Sequence, residues 1–475
     1  STAIGHVASA TAVRTTAIGT GSKASAQCAL AVGWKANATA INAIAIGYTA
    51  NAEGINSTAV GTSAQASSNY SSSFGTKASA SGLASMALGA GSIANATGAI
   101  TIGVNSIASG ANSSAFGTEA NASAEDAIAF GYQAIANKVN AIAIGAEAIA
   151  TEVNATAFGD ATQATGFQST ALGASAKASE QNATAIGESA NASGTQSTAI
   201  GRASIASKSR TTALGASSKA TRDQATAIGV QAYASANRSI ALGSFSSSSG
   251  ELSQAIGSNA MASGEYSAAI GPYANATAAD SIAIGYLSNA TAEDSLAIGR
   301  SSIANEKNAI AVGTEAIATK VNATALGDAS QATGFQSTAL GALAKATAQN
   351  ATAVGEKAEA SGAQSTAIGR QSLASQSGTT ALGTIAKATG VRSTALGVQA
   401  NAIGQCSIAL GSWSVANGQF SQAIGANATA SGKGAMASGF YANASGIGAS
   451  ASGFYANASG TGATASGYNA SASGY

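Results

Sequence analysis

The chain has little of what catalysis uses. Of its 475 residues, 9% are charged and 5% aromatic, with one histidine (His6), two cysteines and one proline (Pro272). A single histidine excludes a His-based triad or a multi-His metal site within one chain. Glycine-rich phrases occur without the lysine and following helix of a phosphate loop. No run of about 18 apolar residues is present, which excludes a membrane-spanning helix. Net charge is +1 and acids and bases are scattered singly along the chain. That balance gives no electrostatic reason to expect nucleic acid or an acidic membrane surface as partner. No catalysis, cofactor or metal is expected.

What the chain does have is glycine, alanine and a period. Glycine falls at every fourteenth position from Gly5 to Gly467, in 34 registers without insertion or deletion. Counting that glycine as position 0, position 13 is Ile, Leu, Val or Phe in 31 of the 34 registers; Ser438, Ser452 and Ser466 are the exceptions. Position 5 is alanine in every register but that of Ser248. Position 11 is mostly Thr or Ile, and position 10 is small. A longer period is superimposed: DATQATGFQSTALGASAKA (160–178) returns as DASQATGFQSTALGALAKA (328–346), 168 residues later, with two differences. Ser1 already stands inside a repeat, so the chain is expected to be a window on a longer protein.

Fourteen residues are two heptads, but a coiled coil fails. A glycine in every fourteen costs roughly 1 kcal/mol each in a helix, and a/d seams are missing. A β-solenoid fits. STAIG, TTAIG and STALG alternate small and larger residues, as does the A-x-A phrase that follows, and Gly, Asn, Ser and acids fill the gaps. Two strands of about five residues and two short turns make a flat, two-sided coil. The fold class is therefore all-β, a parallel β-roll of 14-residue coils.

Alternation assigns the faces. Positions 3, 5, 10 and 12 are small and point inward, so two sheets can approach closely. Positions 11 and 13 then point outward, stacking Ile4, Ile18, Val32, Ile46 and Val60 in one row that continues through Ile186, Ile200, Leu214, Ile298 and Ile368. At about 4.8 Å per coil the row is on the order of 160 Å long. A strip of that length does not stay in water, and burying each side chain is worth roughly 1.5–3 kcal/mol. Side-by-side, parallel, in-register association follows, with the strips facing inward. Gly5, Gly19, Gly33, Gly47, Gly187 and Gly201 end the first strand where the chain turns sharply, with positive φ or against a neighbouring backbone.

These phrases, S/N-x-A-I-G followed by A-x-A-x-G on a strict period, resemble the head repeats of trimeric autotransporter adhesins, the YadA-like heads. The resemblance covers essentially the whole chain. It implies a left-handed parallel β-roll in a homotrimer, with the residue before each glycine facing the axis. It also implies a place on the cell surface, as the extracellular part of a Gram-negative outer-membrane protein that attaches to host matrix, other cells or abiotic surfaces. Three-fold association and handedness come from the resemblance alone. No nucleic acid and no membrane contact by this segment are expected. The family's neck, stalk and anchor would lie outside these residues.

Residues 1–436 read as one run of head repeats and 437–475 as a continuation with variant coils. In the latter Phe440, Tyr441, Phe454, Tyr455 and Tyr468 follow the glycines; either these rings refill the inner row or the core changes character. SFSSSSG (244–250) and its copy SWSVANG (412–418) mark either a local packing change or a binding spot. Cys28 and Cys406 share position 9, on the order of 130 Å apart at coil spacing, and cannot bond within one rod. Each either meets its symmetry mates or, the reading favoured, is a free thiol in a polar turn position. The N-x-S/T triplets follow from composition. Candidate ligand contacts are the position-1 residues Trp34, Tyr48, Tyr132, Tyr286, Arg202, Arg300 and Arg370. The function expected is a structural adhesin. A passive spacer and a phage or other fibre shaft are the alternatives. Ice binding is disfavoured because Ile44, Ile100 and Ile142 interrupt the Thr row, and a polysaccharide-degrading solenoid because no acids cluster.

Overall fold

The computed structural model describes residues 1–474. The chain falls into two compact units, Ser1–Arg238 and Ser239–Tyr475. Each is an all-β parallel solenoid of 14-residue coils, with no helix among the described residues. In the first unit, three-residue strands from Thr2–Ile4 to Thr226–Ile228 form one sheet. Two-residue strands from Ser9–Ala10 to Tyr233–Ala234 form the other. The second unit repeats the plan from Ile240–Leu242 to Thr464–Ser466 and from Ser247–Ser248 to Ser471–Ala472. Because no register carries an insertion, like residues stand opposite each other: Thr2 with Thr16, Ala3 with Ala17 and Ile4 with Ile18 in the first unit, Thr338 with Thr352 and Ala339 with Ala353 in the second.

The strands are shorter than the five residues expected, because the turns claim more of the coil. Each coil is two half-coils of seven residues that bend in the same way. Positions 2 and 9 both take the left-handed conformation: Val7 and Arg14 have φ of 59° and 62°, Lys35 and Asn42 of 52° and 58°. Each turn is closed by one backbone bond, from Ala36 N–H to the Gly33 carbonyl at 3.3 Å and from Ala29 N–H to the Ala26 carbonyl at 3.1 Å. Positions 3 and 10 point inward, but their N–H groups close turns, so ladder pairing starts one residue later. Asn suits position 9 twice over. It tolerates positive φ, and its amide bonds the next coil, as in Asn42 Nδ2 to Asn56 Oδ1 at 2.8 Å.

Position 0 demands glycine on two counts. At Gly33 φ is 131°, and a Cβ there would lie 2.3 Å from the Gly47 carbonyl oxygen. The six glycines named above have φ between 123° and 136°. Inside the coil only small groups fit. Ala43, Ala45, Ala50 and Ala52 are fully buried, and the largest fully buried side chains are threonines and serines. Serine competes with alanine at positions 3 and 10 because its hydroxyl donates back to the turn carbonyl: Ser22 to Gly19 at 2.9 Å, Ser71 to Ser68 at 2.6 Å. At position 5 serine occurs once, where the Ser248 hydroxyl donates to the Ser253 carbonyl across the interior at 2.9 Å. It also meets the Ser253 hydroxyl, Oγ to Oγ at 2.6 Å. The SFSSSSG stretch is thus a local repacking on the inside, while Phe245 and Trp413 lie exposed at position 2 outside.

Candidate functional site

With the interior filled by alanine, everything larger is displayed. The outer face of the first sheet carries the apolar strip. Ile4, Ile18, Ile46, Leu214 and Ile368 are exposed, and Val32, Val60, Ile186, Ile200 and Ile298 are half-buried by their neighbours in the row. The adjacent column, position 11, adds Thr16, Ile44, Ile142 and Thr198 to the same face.

The glycine turn carries the candidate contacts, all at position 1. Trp34 and Tyr48, one coil apart, stack with ring centroids 4.5 Å apart and planes 11° off parallel, and Lys35 Nζ sits 4.3 Å from the Trp34 ring centre. Tyr286 meets Tyr273 edge-on at 6.1 Å. Tyr132, Arg202 and Arg370 are exposed on separate coils, and Arg300 lies 3.9 Å from Glu315. The seven residues therefore share a column and do not form one cluster. In the last coils the rings stack along this same turn: Phe440 on Phe454 at 5.1 Å, Tyr441 on Tyr455 at 5.1 Å, Phe454 on Tyr468 at 5.4 Å. Ser452 and Ser466 remain exposed beside them.

The opposite turn, positions 7 to 9, carries charge as well. Cys28 and Cys406 are there, free and half-buried. Asp126 accepts from Asn112 Nδ2 at 3.3 Å. Glu293 accepts from Lys307 Nζ at 2.9 Å. That hydrogen bond, with the carboxylate's charge, raises the Lys307 ammonium above its ordinary range. In sequence the charges stand singly, but coiling gathers them, because residues fourteen apart become neighbours. Lys208, Arg210, Arg222 and Arg238, all exposed, lie on this one turn in three successive coils. Reading the sequence by columns of fourteen would have found them. The second sheet's outer face adds shallow open grooves, one of 670 Å³ lined by Ile205, Ser217, Lys219, Thr221, Gln231 and Tyr233. No group of three or more His, Cys, Asp or Glu residues able to hold a metal occurs among the described residues.

The YadA head domain repeat, as a family model, matches residues 1–22, 24–50, 52–78 and so on through 430–456 and 458–475. The chain belongs to the YadA head-repeat family. Its matches run nearly end to end, and the parallel solenoid with a glycine in every coil is that of a YadA-like trimeric autotransporter adhesin head. YadA heads are surface-exposed passengers and belong to a structural adhesin family. No curated protein matches this YadA-like head.

Proposed function

We propose that this YadA-like head forms a parallel homotrimer that attaches a Gram-negative cell to host matrix, other cells or abiotic surfaces through many weak contacts. The observation that carries the reading is the apolar strip. It repeats in 31 registers on the outside of a coil whose inside is already full. Packing the strips of three chains around one axis, with Ile4, Ile18, Val32, Ile46, Val60, Ile186, Ile200, Leu214, Ile298 and Ile368 in the core, removes it from water. The second sheet and both turns then face partners. Residues at position 1, including Trp34, Tyr48, Tyr132, Tyr286, Arg202, Arg300 and Arg370, supply contacts that multiply along each chain and across three chains.

Deleting the head from the full protein on cells tests this. Attachment to a matrix protein, to cells or to a solid surface should be lost or redirected, and the purified head should bind the same target more tightly than a few-coil fragment. Unchanged attachment, with no binding by the purified head, would make the segment a passive spacer.

A further inference from the structure

Residues 202–238 contain six bases, Arg202, Lys208, Arg210, Lys219, Arg222 and Arg238, against one acid, Asp223, in a chain whose net charge is +1. Four of the six share one turn. Lys208 and Arg222 follow each other in column 7, one coil apart, and Arg210 and Arg238 lie in column 9, two coils apart. At coil spacing these separations are roughly 5 and 10 Å. All four are exposed, and none is in an ion pair among the described residues. Arg210 Nε donates only to the neutral Gln196 Oε1, at 3.3 Å. The lone acid is turned to the backbone, where Asp223 Oδ1 accepts the Ser209 N–H at 3.2 Å. The fold does not ask for these charges: the same columns elsewhere hold Ala, Gly, Gln and Asn, and four unpaired like charges repel one another. Arginine and lysine stacked in this way attract an anion.

We infer that this turn, over residues 208–238, binds a sulfated polysaccharide laid along the coil axis. A linear polyanion matches a linear array of bases. Ser209, Gln196, Gln224 and Asn237 intersperse the charges with groups able to hydrogen-bond sugar hydroxyls. No aromatic side chain lies on this turn in these coils, so single-stranded nucleic acid lacks its stacking platform. The one apolar side chain on this turn beside the bases is Ala236, too small to enter a lipid surface. The inference names a partner for the adhesive surface and rests on that reading.

Heparin binding by the purified full chain tests it. The wild type should bind, with affinity falling against salt at a log–log slope of about −3 if each of four bases releases counterions as along a single-stranded polyanion. The variant Lys208→Gln, Arg210→Gly, Arg222→Gly, Arg238→Ser should bind at least about 10-fold more weakly, with a flatter slope and an unchanged melting temperature. If that variant melts early, Lys208→Gln with Arg222→Gln alone should still weaken binding. Desulfated heparin and duplex DNA should bind more weakly than heparin. No heparin binding, equal binding by the variants, or DNA or desulfated heparin binding as tightly would each overturn the assignment. Cells whose attachment survives the four substitutions while heparin binding is lost would show that the adhesive reading stands on other contacts.

Discussion

Residues 202–238 and 370–406 are the same block of coils read twice. Inside, at position 5, the two agree. Ala206, Ala220 and Ala234 in one match Ala374, Ala388 and Ala402 in the other, all fully buried. On the first sheet's outer face Leu214 and Ile228 match Leu382 and Leu396. On the second turn they part. In the copy Lys208, Arg210, Arg222 and Arg238 are replaced by Gln376, Gly378, Gly390 and Cys406 and Gln224 by Arg392, while Arg202 and Lys219 keep their counterparts Arg370 and Lys387. Two stretches with one backbone thus carry different charge, so the coil's closure does not decide what stands at positions 7 and 9. Closure is fixed by alanine and glycine; on the proposed reading association belongs to the strip and recognition to the turns.

If that division is right, attacking the shared positions should hurt both copies alike and most severely. Replacing Ile186, Ile200 and Leu214 together with Asp, or Val354, Ile368 and Leu382 in the copy, should dissociate the assembly or melt that stretch. Each lost contact is worth roughly 1.5–3 kcal/mol in every chain, and the new carboxylates would have to be buried. Sedimentation and thermal melting report the outcome. An unchanged assembly with unchanged stability would put the strip on the wrong face.

The interior comes next. Ala178→Leu and its counterpart Ala346→Leu insert bulk into a space that holds nothing larger than threonine, typically at about 1–3 kcal/mol per chain. Lys177→Leu and Lys345→Leu, one residue away on the exposed face, should change melting far less. Equal shifts for the two classes would reverse the facing, and unequal shifts between the two copies would undo the comparison.

Most of this division could be read from the sequence. Period two within period fourteen shows which residues point inward, because only alanine-sized groups recur at four positions. The strip at position 13 is visible for the same reason. The turns were harder. Positive φ left its clearer trace in the asparagines and glycines of position 9, such as Asn42, Asn56 and Gly378; position 2 holds fewer, such as Gly21 and Asn105, beside Val7, Lys35 and Ile385, and that mixture hides the signature. The candidate site suffered differently. Trp34 and Tyr48 were legible as neighbours because both follow a glycine. Lys208, Arg222 and Arg238 were not, because they are separated along the chain by about a coil and look like isolated charges.

A smaller effect would transfer the difference itself. Gln376→Lys, Gly378→Arg and Gly390→Arg should give the second copy its own charged turn. The left-handed φ of 67° at Gly378 is close to the 56° already held by Arg210, so little strain is added there, whereas a Cβ at Gly390 would lie 2.1 Å from the Gly404 carbonyl oxygen and the next coil must shift to admit it. Heparin binding should rise from one site per chain toward two, measured by titration. A transplant that folds but binds no more than the wild type would mean that the three added bases, with Arg392 already on that turn, do not by themselves make the site.

The smallest effect concerns a charge pair that exists in only one copy. Glu293 and Lys307 bond across adjacent coils, whereas their counterparts are Glu125 and Val139. Hydrogen bonding to Glu293, then its charge, raises the Lys307 ammonium above the ordinary lysine value. A folded-state pKa raised in this way contributes stability that is fully present below the unfolded pKa. It is lost as pH rises through the folded one, so the window is strongly alkaline. The pair is exposed, and exposed pairs contribute little. The difference in melting temperature between wild type and Glu293→Gln should therefore be small at neutral pH and shrink as the solution is made alkaline. Val139→Lys, placing an ammonium beside Glu125, should reproduce that pH dependence in the first copy. A difference that stays constant with pH, or a Val139→Lys protein whose melting shows no alkaline decline beyond the wild type's, would show that the Glu293–Lys307 contact contributes nothing to stability.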